Sequence, residues 1–304
     1  LPKDYDAALA KAQDALLARG VTAIADMGTD IAGWQAYRRA GDRGALRIRI
    51  MSYARGMDQA ALIAGPGPTP WLYDDKLRLG GVKLYLDGAL GSRGAWLKAP
   101  YADAPKETGL PRLTSAQLRN QMSRVAMDGF QLAIHAIGDK ANAEALDAID
   151  ELSVTYKGDR RWRIEHAQIV DPLDLPRFGQ HGTIASMQPQ HATSDWAMAD
   201  ARMGPDRLAG AYAWKAMLAN NVRLAFGSDV PVEPADPFIG LKSALTRIDG
   251  RGLPEGAWRP DQRVAYTDAL RAYTYNAAYA GFAEQRFGNL APGFTILDPI
   301  KATI

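Results

Sequence analysis

Four histidines punctuate the sequence, at positions 135, 166, 181 and 191. Two occupy matching positions. His135 closes the apolar run QLAIH ahead of a Gly-Asp turn, and His166 closes RIEH ahead of AQIV. Imidazoles at the ends of successive parallel strands converge on one mouth, where they can hold Zn, Fe, Mn or Ni. A single such histidine is ordinarily a hydrogen-bonded core residue; two at equivalent strand ends favour a shared site. Asp229, in LAFGSDVPV, emerges where an apolar run becomes a loop. A carboxylate there can bind a metal or take the proton of an attacking water, and it can equally cap the next helix. Lys83, in GGVKLYLDG, lies between apolar neighbours, where a free ammonium is costly. It takes part in the chemistry, or it snorkels to a rim or pairs with Asp87. The glycine-rich segment DGALGSRGAWLKAPY brings Arg93, Trp96 and Tyr101 into one loop, as substrate contacts or as a packed surface loop. His191, in MQPQHATSDW, can reach the same mouth. His181, in a Gly-Gln-His-Gly turn, reads as a surface residue.

Positioning these groups requires buried strands. Candidates are Thr22–Met27, Leu46–Ser52, Gly81–Leu86, Gln131–His135, Arg163–His166, Thr183–Met187 and Arg223–Phe226, each an apolar run followed by a polar loop. Helical patterns fall between most of them, including Thr114–Asp128 and Lys140–Leu152. Ala7–Arg19 reads as a helix stopped by Gly20, and Tyr266–Tyr279 as a single helix. The tail GNLAPGFTILDPIKATI reads as a turn and a short strand. Alternating strands and helices predict an α/β fold with a parallel sheet. Seven strands suit a doubly wound sheet as well as a barrel one strand short of eight. The first strand is not followed by G-x-G-x-x-G, which lowers the nucleotide-binding reading.

The 304 residues are ample for one α/β barrel, and the composition, 47% hydrophobic and 23% charged, is that of a globular protein. A net charge of +2 without a basic run gives no reason to expect a nucleic-acid partner. With no cysteine, thiolate metal sites and a cysteine nucleophile are excluded, so any metal must use His, Asp, Glu, Lys-derived or backbone ligands. No signal peptide or membrane span is visible, and the compartment, cytoplasmic or periplasmic, stays open. The first residue is Leu1 rather than an initiator Met, so the natural N-terminus is expected upstream.

Taken in order, GVKLYLDGALGSRGAWL, LAIHAIGDKAN, RIEHAQIV, SMQPQHATSDW, FGSDVPVEPADPF and YTYNAAYAGFAE resemble the amidohydrolase superfamily. The branch is the YtcJ-like group that includes N-substituted formamide deformylases. The motifs cover most of Gly20 to Pro292, and the ordered set is far more specific than any member. The resemblance implies a (β/α)8 TIM-type barrel whose second to eighth strands are the seven above. It makes His135 and His166 metal ligands from the fifth and sixth strands. Asp229, from the eighth, becomes a ligand and the general base, and Lys83, from the fourth, a lysine that can be carboxylated to bridge two ions. The family's first-strand His-x-His has no counterpart here, and LAPGFTILDP departs from the family's usual Pro-Gly-x-x-Ala-Asp. The expectation is therefore a barrel over residues 1–285 and a remnant of the accessory β-sandwich over 286–304, with the missing strand upstream of Leu1.

The expected function is metal-dependent hydrolysis of an amide or related C–N bond, with one or two divalent ions, Zn foremost and Mn or Fe as alternatives. A small molecule is the expected partner, contacted by Arg93, Trp96 and His191; a homodimer is compatible with the sequence. Two rivals stand beside this: an inactive barrel that binds a ligand, and a metal-free enzyme using Lys83 as a Schiff-base amine.

Overall fold

The structure is a computed structural model and describes residues 2–292. Its elements are α1 (Pro2–Leu17), β1 (Ala23–Thr29), α2 (Ile31–Asp42), β2 (Arg49–Arg55), α3 (Met57–Ala64), β3 (Leu77–Tyr85), α4 (Ser115–Met127), β4 (Gln131–Ala136), α5 (Asp139–Ser153) and β5 (Arg163–His166). There follow α6 (Leu175–Gln180), β6 (Ile184–Met187), α7 (Pro189–Ser194), α8 (Trp196–Met203), α9 (Trp214–Ala219), β7 (Arg223–Phe226), α10 (Pro237–Thr246), α11 (Tyr266–Tyr273) and α12 (Tyr275–Ala280).

Among the described residues the strands form one sheet of seven in sequence order, every pair parallel, and β1 and β7 are its free edges. The sheet curls into an incomplete (β/α) barrel with helices outside it. The expected strand at the tail lies at residues 293–304, outside the described residues, as does most of the expected sandwich remnant. The helix expected over Tyr266–Tyr279 is two helices, broken where Thr274 leaves helical geometry at φ −118 and ψ −94. Local chemistry sets some of the other boundaries. Thr114 and Gln117 form a reciprocal capping box that starts α4, and Gly20 turns the chain after α1 at φ +74.

Two faces of the sheet bury different residues. Ile50, Ala54, Val82, Leu84, Leu132, Ile134 and Ile164 pack outward against the helices. Met51, Tyr53 and Ala133 face inward, where Ala278, Ala283 and Phe287 pack against them. α12 and the turn after it thus close the floor of the barrel. Tyr53 Oη donates to Gln131 Oε1 at 2.6 Å and lies 3.4 Å from the Ala280 carbonyl, which accepts from Gln131 Nε2 at 2.8 Å. Arg161 donates to the Tyr279 carbonyl at 2.6 Å and pairs with Glu284 at 2.8 Å.

One irregularity decides what faces inward from β3. Ser52 pairs with Leu79, but Tyr53 pairs with Gly81, so β3 carries one extra residue at Gly80. Leu77 and Leu79 point outward, and a regular alternation would send Lys83 outward with them. The bulge resets the phase: Val82 and Leu84 take the outward positions, and Lys83 and Tyr85 turn into the barrel. A side chain at Gly81 would begin 2.4 Å from the Tyr53 ring and 2.7 Å from the Gln131 carbonyl, so glycine is what permits the slip.

Candidate active site

At the C-terminal ends of the strands, register pairs Lys83 with Ala133, and Tyr85 with His135. His135 pairs in turn with Glu165, and Ala136 with His166. Alternation would therefore give Glu165 and not His166 the place beside His135. His166 instead adopts a left-handed backbone, φ +77, followed by Ala167 at φ +42. The turn swings its ring back over the mouth, 4.6 Å from the ring of His135. Non-glycine residues rarely adopt this geometry, and such strain concentrates where function demands a particular side-chain direction. Asp229, at φ +55 in the loop after β7, is a second instance.

Hydrogen bonding assigns the ring protons. Gln188 Oε1 lies 2.9 Å from His166 Nδ1; an amide oxygen only accepts, so Nδ1 carries the proton and Nε2 keeps its lone pair. Burial lowers the pKa of His166 well below that of a free imidazole, with His135 and Lys83 adding to the effect, so the ring is neutral. His135 Nε2 is buried and makes no aligned hydrogen bond, but Asp87 Oδ1 stands 3.4 Å away. The carboxylate favours the proton on Nε2 and leaves the His135 Nδ1 lone pair free. A carboxylate behind a histidine in this way is a common support for a metal ligand. Two imidazoles presenting these lone pairs fit two positions around a divalent ion. Among the described residues no three His, Asp or Glu side chains are grouped closely enough to enclose one.

Asp87 does not pair with Lys83. Its fully buried carboxylate accepts from the backbone N–H groups of Trp96, Ile137 and Gly138 at 2.9, 3.0 and 2.9 Å, tying the loop after β3 to the turn after β4. Lys83 is 4% exposed and makes no hydrogen bond or close ion pair among the described residues; its ammonium stands 5.2 Å from the centre of the Tyr85 ring. Burial lowers its pKa, while Glu165 and Asp229 oppose that shift. Asp229 keeps solvent access at the mouth, yet partial desolvation of its carboxyl raises the pKa, with Lys83 opposing and Glu165 adding. Glu165 is held by the buried Arg163 at 2.8 Å, and Arg163 also donates to Tyr53 Oη and Ser186 Oγ, each at 3.0 Å.

His191 joins the histidine pair, its ring 6.2 Å from that of His166, and burial lowers its pKa to about 4. The other substrate candidates, Arg93 and Trp96, lie in the segment between β3 and α4. Arg93 is bound to Asp103 at 2.9 Å, which also holds Arg202, and so fastens the loop after β3. Trp96 stacks under the ammonium of Lys140 at 5.6 Å. The Trp96 backbone N–H is bonded to Asp87, whose other carboxylate oxygen stands 3.4 Å from His135 Nε2. His181 ends α6 at the surface, 3.1 Å from Asp150. Gln168 and Gln188, which fix the imidazole tautomers, were not singled out from sequence, although RIEHAQ and MQPQH contain them.

The amidohydrolase family profile matches residues 1–295. The chain belongs to the amidohydrolase family. Protein LONG AFTER FAR-RED 3 of Arabidopsis thaliana is 36% identical to it over 94% of the chain and 51% of that protein. Putative amidohydrolase YtcJ of Bacillus subtilis is 29% identical over 86% and 48%, and N-substituted formamide deformylase of Arthrobacter pascens 24% over 91% and 51%. The amidohydrolase chain thus spans about half the length of the curated relatives it matches. A solved structure described as an uncharacterized metal-dependent hydrolase from Pyrococcus furiosus superposes with a TM-score of 0.85 at 32% identity, over 98% of this chain and 61% of that one. These likenesses support a hydrolase role for this amidohydrolase, and the family implies a divalent metal.

Proposed function

We propose that this amidohydrolase is the catalytic portion of a metal-dependent hydrolase that cleaves an amide or related C–N bond in a small molecule. The observation that carries the reading is the meeting of His135 and His166 at 4.6 Å with Nδ1 of one and Nε2 of the other free. These two residues would hold a divalent ion, Zn in the first instance. Lys83 and Asp229 stand nearby as further candidates, and other ligands would come from a strand seated between the free edges of β1 and β7. When bound, the ion supplies polarisation of the carbonyl and a water of lowered pKa. Asp229, its affinity for a proton raised by its surroundings, accepts the proton of the attacking water and returns it to the leaving nitrogen as the C–N bond breaks. Similarity to an N-substituted formamide deformylase directs the first assays to N-substituted formamides.

The competing reading is a barrel that binds a ligand without turnover, favoured by the absence of a three-ligand group among the described residues. The two separate on one experiment, in which the full-length protein is stripped with a chelator, reloaded with Zn or Mn, and assayed on N-substituted formamides. Metal-restored hydrolysis supports the first reading. Full activity of rigorously metal-free protein, or none in loaded protein across a broad amide panel, removes it.

A further inference from the structure

His191 is 6% exposed on α7, and its two ring nitrogens differ. Nδ1 stands 3.3 Å from Gln168 Nε2, while Nε2 is buried without a hydrogen-bond partner among the described residues. Which way Gln168 points is set one step further out. Its Nε2 donates to Asp195 Oδ2 at 3.4 Å, and the Tyr212 hydroxyl donates to the same oxygen at 2.9 Å. A carboxylate oxygen receiving the Tyr212 proton accepts from an amide N–H and repels an amide oxygen, so nitrogen faces Asp195. The main chain of Gln168 is also held beside Tyr212, whose backbone N–H donates to the Gln168 backbone carbonyl at 2.6 Å. The second hydrogen of the Gln168 amide is then directed at His191 Nδ1, which must offer a lone pair. The ring's single proton is left on Nε2.

His166 and His191, stacked 25° from parallel, are therefore opposite tautomers: the first keeps the Nε2 lone pair, the second an Nε2–H. A protonated Nε2 cannot bind a metal. A buried N–H without an acceptor costs stability unless something that comes and goes satisfies it, which is a common sign of a functional donor. Building on the hydrolase reading, we propose that His191 is a hydrogen-bond donor to the carbonyl oxygen of the bound amide. Gln168, Asp195 and Tyr212 are positioning residues that lock its Nε2–H tautomer. The donor would gain strength as that oxygen becomes an oxyanion, which stabilises the transition state more than the bound substrate.

The test uses full-length protein labelled with ¹⁵N in its histidine rings and long-range ¹H–¹⁵N spectra, the His191 signals being assigned by their loss in His191→Gln. The expected pattern is a protonated Nε2 and a bare Nδ1 in the wild type, turning to a mixture of tautomers in Gln168→Met. A proton on Nδ1 in the wild type, or an Nε2 signal that moves to a metal-bound position on adding Zn, overturns the lock. Kinetics with N-benzylformamide as the probe test the donor. His191→Leu should lower kcat roughly a hundredfold while KM stays within about threefold, and His191→Gln, which keeps an N–H, should recover part of the loss. Unchanged kcat in His191→Leu overturns the donor role. No turnover by metal-loaded wild type sinks the hydrolase reading and the donor role with it, whereas the tautomer lock stands or falls on the spectra alone.

Discussion

His135 is in strand register with Glu165, yet the ring that meets it at 4.6 Å belongs to His166, one residue further on. The left-handed turn at His166 brings this about, and it leaves Glu165 free to face the barrel interior and neutralise Arg163. A strand of only four residues thereby contributes an ion pair to the interior and an imidazole to the mouth.

Asp229→Asn tests the base. The amide nearly matches the carboxylate in size, so folding should be spared, while turnover on N-substituted formamides should fall by on the order of a hundredfold or more. Steady-state kinetics alongside a thermal melt check this. Near-normal kcat would remove Asp229 from the mechanism.

Lys83 is buried, unpaired and of lowered pKa, the state in which an amine can add carbon dioxide. If it is carboxylated in the active protein, Lys83→Ala should lose activity at saturating metal and regain part of it with added bicarbonate or short carboxylic acids. Wild-type rates in Lys83→Ala without any additive would rule the role out.

Asp87→Ala should destabilise by about 3 kcal/mol or more, because it strands three buried backbone N–H groups. Urea denaturation gives the number. A loss below about 1 kcal/mol would mean that water replaces the carboxylate and that the loop is anchored elsewhere.

Acid should weaken the fold through His191. Its pKa falls from the ordinary 6.5 to about 4 on folding, so the unfolded chain binds the proton first as pH drops. The stability is intact above pH 6.5 and is lost progressively toward pH 4, a change of about 3 kcal/mol. Urea midpoints of metal-free protein at pH 7.5 and 4.5 measure it. The drop should shrink in His191→Asn; an equal drop in both proteins would assign the effect to other groups.

Much of this site could be read in advance because its signals are local. His135 and His166 end apolar runs, and the strands expected at Arg163–His166 and Arg223–Phe226 have those boundaries in the structure. What escaped depended on geometry that sequence spacing does not carry. Lys83 and Asp87, four residues apart, invited pairing, but the carboxylate is turned to the backbone of the β4 loop, some fifty residues away. Arg93 is paired with Asp103, a contact that residue types and spacing alone do not reveal. The break in the last helical segment follows from Thr274, whose residue type gives no warning of it.

The floor of the barrel has a consequence for synthesis. Tyr53 and Gln131 leave the ribosome well before the Ala280 carbonyl that lies against both, 227 and 149 residues further on. Met51, Tyr53 and Ala133 likewise wait for Ala278, Ala283 and Phe287. At about 5–20 residues per second, the first strands spend several seconds or more with their inner face unsealed. Until then the curl rests on neighbouring strand pairs and outer helices without this floor, the period when a chaperone would have most to shield.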